Sequence, residues 1–547
     1  MKSSYRRVPL TVAALFLASV LTYGRPPAPQ KDGSPRQSPR TLKASTRLVI
    51  VDVVATDRRG AAVADLTADD LTILEDGVAQ KVSGFSLQRP GDVAAPLSLP
   101  PNVFSNLPQV RATSLNVILL DGLNGEFASR AYAYDQLLKY LNEHPTIPPT
   151  AVYGLETKLK LLHGFTTDTN ELMQAVRDFR QRAPRNVESV YATASPFTQK
   201  GDFQANEVNI TNTLVALDLL AQSLSGYAGR KNLIWLSEAF PENLFPDFSP
   251  IPGNATLFLA HSRDATQAMN ITELPLMQNS DQNRGINDYS VLLRKVSEEL
   301  TSAQVAVYPI DPAGVGKISR MEGLRTMETM ATATGGKIYA NQNDLVTSIG
   351  GSLEDGSTYY TLTYYPDNKN WDGKFRQIAV KTSREGVTLR HRTGYYASDP
   401  SAEAPEAADI KKLSADFARA LSWDAPNATA VLFRATVVPG ATQKDKLLVN
   451  FAIDPRTLKF DETPDGVQHA RVSCALLAYS AKGSMVREEL NNMTAKVQPE
   501  QFPKLMNATF PCQITTQLNS GKYTLRLGVT DRAGRRVGTT TATVVIP

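Results

Sequence analysis

Residues 114–127, SLNVILLDGLNGEF, decide how this chain is read. LNVILL is a near-continuous apolar run of strand length, the pattern of a strand covered on both faces rather than one. It ends at Asp121 in a short polar loop with Gly122, Asn124 and Gly125. Such loops hold phosphates, hold divalent metals or simply turn the chain. Beyond the loop, Phe127, Ala131, Tyr134, Leu138 and Leu141 recur at helical spacing. The same alternation continues: strands at TAVYGLE and LKLLHGFT, helices at 169–181 and 209–224, then the buried strand KNLIWLSEAF. A helix at YSVLLRKVSEELTSA, the strand QVAVYPID, a helix ending at Gly335 and Gly336, and a strand opening at KIYA complete it. Strand and helix in alternation predict a doubly wound, mostly parallel sheet over residues 114–357.

The regions on either side read differently. Residues 45–88 alternate apolar and polar residues at period two, with hairpin-type breaks at DRRG and EDG, and are expected to form a small β-module. Residues 89–113 are Pro-rich and read as a linker. Residues 358–397 read as a β-extension packed with the α/β domain, residues 398–409 as an acidic linker, and residues 410–547 as a C-terminal β-sandwich. The fold class is thus multidomain α/β plus all-β, a central doubly wound, Rossmann-like domain flanked by β-sandwich modules. In the Tyr pairs at 359–360, 364–365 and 395–396, one ring is expected inward and one outward.

A chain of 547 residues exceeds a single core. Its net charge of +4 is too dilute for a nucleic-acid footprint, and no basic run interleaves with aromatics. Residues 1–24 carry Lys2, Arg6 and Arg7, an apolar run and small residues, the order of a secretory signal peptide; a retained anchor is the alternative. No other segment is long and apolar enough to span a bilayer. Residues 25–44, Pro/Ser-rich and basic, read as a disordered tether. The expected location is secreted, periplasmic or cell-surface. There, Cys474 and Cys512 are candidates for a disulfide between neighbouring strands, two buried thiols being the alternative.

Ligands of open α/β sheets bind at the carboxyl ends of the strands, near the switch in strand order. Asp121, Glu238 and Asp311 all end strands, where carboxylates either gather a hard cation or serve as turn formers and helix caps. The order of elements resembles the von Willebrand factor A (vWA) domain, and more narrowly the secreted bacterial VWFA-related proteins common in Acidobacteria. The segments that carry the resemblance are VDVVATDRRGAAVADLTADDLTILEDGVAQKVSGFS, NVILLDGLN, GRKNLIWLSEAFP, VAVYPIDPAG and the stretch over 359–397, spanning roughly residues 45–397.

The resemblance implies a metal-ion-dependent adhesion site, usually holding Mg²⁺, with a first loop Asp-x-Ser-x-Ser and a Thr and an Asp from later loops. Asp121 matches the first aspartate, Thr211 best matches the threonine, and Glu238 stands where the later aspartate would be. Leu123 and Gly125 occupy the serine positions, so both hydroxyl ligands are missing, and Asn124 is left to lend an amide oxygen. The implied ligand set is therefore degenerate: Asp121, Asn124, Thr211 and Glu238, with Mg²⁺ as the implied ion. A phosphate loop is the weaker reading, because DGLNG has neither GxGxxG nor GxxxxGK[ST].

Catalytic patterns are missing from the sequence. The five histidines, His144, His163, His261, His391 and His469, are scattered, and neither HExxH nor GxSxG occurs. Ser237 has no evident histidine partner. The loops at 191–209 and 241–258 flank the candidate site and mix aromatic with polar residues, which suits recognition as well as disorder. The expectation is a non-enzymatic binding or adhesion protein for a protein or extracellular polymer. The alternatives are an assembly module with a vestigial site, or an enzyme accessory subunit or hydrolase.

Overall fold

The computed structural model describes residues 48–90, 99–182, 200–238, 290–314, 321–397, 413–439, 446–463 and 465–546, all within one unit, Ser45–Pro547. The expected signal peptide (1–24), tether (25–44), linker at 398–409, loop at 241–258 and the first half of the loop at 191–209 lie outside the described residues. The second half of that last loop is helical. Among the described residues no helix is long and apolar enough to cross a membrane. The chain is mixed α/β and rich in strands.

The chain opens with β1 (Val49–Thr56), β2 (Leu71–Glu75), β3 (Val78–Gln80) and β4 (Val82–Gln88), followed by the short β5 (Val103–Ser105). The central layer then begins with β6 (Ser114–Asp121), α1 (Phe127–Glu143), β7 (Thr146–Leu155), β8 (Leu159–Asp168) and α2 (Thr169–Arg182). It continues through α3 (Lys200–Leu224), β9 (Arg230–Leu236), α4 (Ser290–Ser302), β10 (Val305–Ile310), α5 (Met321–Thr334) and α6 (Leu345–Glu354). The strand order is β10-β9-β6-β7-β8, parallel except for the edge strand β8.

Seven of the eight residues of β6 are buried, as its unbroken apolar run requires. Val117 and Leu119 pack with α3, α4 and α5 on one face of the sheet. Ile118 and Leu120 pack with α1, α2 and α6 on the other. The chain leaves β6 toward β7 and β8, then returns to place β9 and β10 on the opposite side. The carboxyl ends of β6 and β9 therefore border the crevice where strand order reverses.

The strand expected at KIYA is reduced to one parallel bridge, Ile310↔Tyr339. The Tyr339 N–H donates to Pro309 O at 2.8 Å and its carbonyl accepts from Asp311 N at 2.9 Å. Pro309 has no N–H for the Lys337 carbonyl, so the ladder does not extend back toward Lys337.

The β-rich segments pair across long sequence distances. β11 (Tyr359–Tyr364), β12 (Phe375–Thr382), β13 (Thr388–Arg390) and β14 (Gly394–Tyr396) join the first four strands in two sheets, β13-β1-β11-β4 and β14-β12-β2-β3. These share one core containing Val51, Val53, Ile73, Tyr360 and Leu362. The described part of residues 45–88, from β1 to β4, and residues 358–397 thus build a single sandwich between them. Tyr364 is buried and Tyr365 exposed, the expected alternation, whereas Tyr359 and Tyr360 are both buried. Tyr359 faces the α/β unit: its hydroxyl accepts from Arg230 N at 3.0 Å and donates to Thr113 O at 2.7 Å.

The C-terminal part contains α7 (Ala415–Ala420), β15 (Phe433–Pro439), β16 (Lys446–Ile453), β17 (Asp461–Glu462), β18 (Gln468–Ser480) and β19 (Met485–Val497). It ends with α8 (Phe502–Met506), β20 (Phe510–Gln517), β21 (Gly521–Asp531) and β22 (Arg536–Ile546). Its sheets run β20-β16-β15-β5 and β17-β18-β21-β22, with β19 also on β18. The Pro-rich stretch at 89–113 is therefore not linker throughout, because β5 forms an edge of this sandwich. Cys474 of β18 and Cys512 of β20 are disulfide-bonded within the core, joining the facing sheets rather than strands of one sheet.

Candidate functional site at the carboxyl end of β6 and β9

Asp121 ends β6 with no exposed surface. Its carboxylate is met by N–H groups. Oδ1 accepts from Leu123 N and Asn124 N, both at 2.9 Å, an Asx-type turn that folds the loop back on the strand end. Oδ2 accepts from Asn124 Nδ2 at 2.9 Å and from Trp235 Nε1 at 3.1 Å. The Ser237 hydroxyl also bonds to it. Burial pushes the Asp121 carboxyl above its ordinary range, and the bonds from Asn124, Ser237 and Leu123 pull it back.

The loop is also tied to α1. Tyr134 Oη donates to the Asp121 carbonyl at 2.9 Å, and Arg130 Nη1 donates to the Gly122 carbonyl. Gly125 adopts φ +86°, and a Cβ placed there would stand 2.6 Å from the Cβ of Glu238. Glu238, itself 2% exposed, fills the space a larger residue at 125 would need. Its Oε2 accepts from Glu126 N at 2.6 Å, so a carboxylate sits at the N-terminal end of α1, where the helix dipole favours negative charge.

Asp121, Asn124 and Glu238 are thus brought to one place. Thr211 is half-buried on α3, but the hydroxyl that meets Asn124 belongs to Thr213, 3.0 Å from Nδ2. Thr213 Oγ1 in turn donates to Asn209 O at 2.8 Å. The helical stripe Ile210, Thr213, Leu214, Leu217 was the signal available in sequence, since Thr213 lies on the buried face at i, i+3, i+4 spacing. Trp235 and Tyr134 are the other members that the sequence reading left out. Asp311 stands two strands away from β6, roughly 10 Å at ordinary strand spacing, and its Oδ1 accepts from Ala313 N at 3.0 Å.

These residues do not fit a divalent ion. A carboxylate offers about four lone-pair directions, and those of Asp121 are taken by N–H donors. Nδ2, not an amide oxygen, of Asn124 is turned to Asp121 Oδ2, since two facing oxygens would repel. No group of three or more His, Cys, Asp or Glu among the described residues is arranged to hold a metal. Of the described histidines none enters this network: His144 stacks on Tyr140, His163 pairs with Glu171, His391 bonds in the first sandwich, and His469 lies on β18.

Comparison with known proteins adds little. No family profile matches the chain, and no curated protein matches it. Solved structures align at low similarity. Proximal thread matrix protein 1 from the mussel byssus is 11% identical over 44% of this chain, with a TM-score of 0.24. The PilB minor pilin of Streptococcus sanguinis is 12% identical over 45%, with a TM-score of 0.25. A von Willebrand factor type A protein from Catenulispora acidiphila is 11% identical over 57%, with a TM-score of 0.15. The alignments span 47%, 62% and 74% of those chains respectively, less than two thirds of the first two. At such scores the fold rests on the sheet order and packing described above.

Proposed function

We propose that this chain is a secreted or cell-surface, non-enzymatic binding protein. In this reading its α/β unit is a vWA-type domain that presents the carboxyl edge of β6 and β9 to a protein or extracellular polymer. The observation that carries the reading is the strand order, which reverses between β6 and β9 with Asp121 and Glu238 at the crevice. Ser237 lies against a carboxylate there, and among the described residues no histidine completes a nucleophile–base pair with it. The Cys474–Cys512 bond suits an oxidising compartment outside the cytosol. Phe127, 45% exposed at the start of α1 beside the loop, offers an aromatic contact. A purely structural role is the second reading, favoured by the complete burial of Asp121.

The test is surface plasmon resonance of residues 25–547 against collagen, fibronectin, cellulose, chitin and peptidoglycan, beside a panel of chromogenic ester, glycoside and peptide substrates. The binding reading expects saturable binding to one class that weakens at least about fivefold in Phe127→Ala, a loss of about 1 kcal/mol. Binding to none favours the structural role. Turnover that disappears in Ser237→Ala, with the fold retained, overturns the non-enzymatic assignment.

A further inference from the structure

The resemblance to vWA domains places a divalent ion between Asp121 and a threonine, and the atom that stands between them is a nitrogen. Asn124 Nδ2 lies 2.9 Å from Asp121 Oδ2 and 3.0 Å from Thr213 Oγ1. Asn124 is 6% exposed, and Asp121 and Thr213 are fully buried. The geometry assigns both amide hydrogens: one to the carboxylate, and one to the lone pair of a hydroxyl whose own hydrogen goes to Asn209 O. Such an amide joins the two oxygens as a bound cation would, but it is covalently part of the chain and cannot be titrated or chelated. Glu238 and Gly125 close the remaining room above the loop, with a Cβ at 125 already within 2.6 Å of Glu238.

We propose that the Asn124 side-chain amide is a permanent substitute for the adhesion-site ion, so that this edge holds one shape whether or not divalent cations are present. The proposal deepens the vWA reading of the edge and rests on it. It is read out by stability rather than by partner binding, so failure of one is distinguishable from failure of the other.

The experiment is thermal unfolding of the full chain in EDTA and in millimolar Mg²⁺, Mn²⁺ or Ca²⁺, for wild type, Asn124→Asp and Asn124→Ala. Wild type is expected to melt at the same temperature, within about 1 °C, in every buffer, a shift well under that of one lost interaction. Asn124→Asp keeps the shape but sets a second carboxylate against Asp121, so charge repulsion replaces a donor bond. It is expected to lose roughly 5 °C or more in EDTA and to regain most of it with a divalent cation. Asn124→Ala, which removes the donor without adding charge, is expected to lose stability equally in all buffers. A divalent-dependent rise in the wild-type melting temperature overturns the proposal. So does an Asn124→Asp protein as stable in EDTA as wild type. The wild-type measurement stands even where a variant does not fold.

Discussion

A methyl group at residue 125 would collide with the Cβ of Glu238 on a backbone already at φ +86°. Gly125→Ser, which restores a serine of the adhesion motif, is therefore expected to weaken the fold rather than rebuild a metal site. The expected loss is about 2 kcal/mol, from a left-handed non-glycine backbone and overpacking, measured by urea unfolding at fixed pH. Unchanged stability would show that Glu238 moves aside freely. Asp121, Asn124 and Glu238 were legible in the sequence because strand ends and loop chemistry are local. Which way an amide turns is not local. The Asn124 oxygen expected at a metal gives way to its nitrogen because the carboxylate beside it only accepts hydrogen bonds and would repel a second oxygen. Thr213 in place of Thr211 follows from the phase of a helix, which the apolar stripe shows and motif matching ignores.

At the scale of elements, alternation along β12, β16 or β20 reveals which residues face a core but not which strand lies alongside. β1 pairs with β11, about 300 positions later, as Val51↔Leu362 shows. β5 sits in a stretch whose prolines suggest a linker, and it is held there partly by Asn106. That buried side chain donates to Ala428 O and Val431 O and accepts from Phe433 N. The disulfide was legible as two cysteines in strands, yet only the folded sandwich sets them in opposite sheets. Its residues are 38 apart, and a cross-link of that span is worth about 4 kcal/mol in the chain-entropy account. Cys474→Ala/Cys512→Ala, or reduction, is expected to lower the unfolding midpoint of the C-terminal sandwich, followed by near-ultraviolet circular dichroism. An unshifted midpoint would mean that the bond contributes nothing to that core.

Across the whole molecule, the α/β unit meets the C-terminal part through a charged cluster. Lys295 of α4 lies 3.5 Å from Asp218 of α3 and 3.2 Å from Asp416 of α7, and Arg419 pairs with Asp416. Beside them burial pushes the Glu299 carboxyl up to about 7, with Asp218, Glu298 and Asp416 adding repulsion and Lys295 opposing it. A carboxyl raised in this way favours the folded state most below its unfolded value of 4.5, and that contribution is lost as pH rises through about 7. Glu299→Gln is thus expected to raise the urea midpoint at pH 8 and leave it unchanged at pH 4.5. Equal effects at both pH values would remove Glu299 from the account.

The pairing of β4 with β11 has a mechanical meaning. Gln88 and Tyr359 are register partners, so the chain enters and leaves residues 89–358 at one point of one ladder. Tension applied between β1 and the chain beyond β14 runs through the sandwich to which that ladder belongs, and reaches residues 89–358 along the backbone only after β4 and β11 separate. The carboxyl edge of β6 and β9 is thereby expected to stay free of tension carried along the backbone until β4 and β11 shear apart, and a single-molecule pulling trace that released the α/β unit before the sandwich would contradict this.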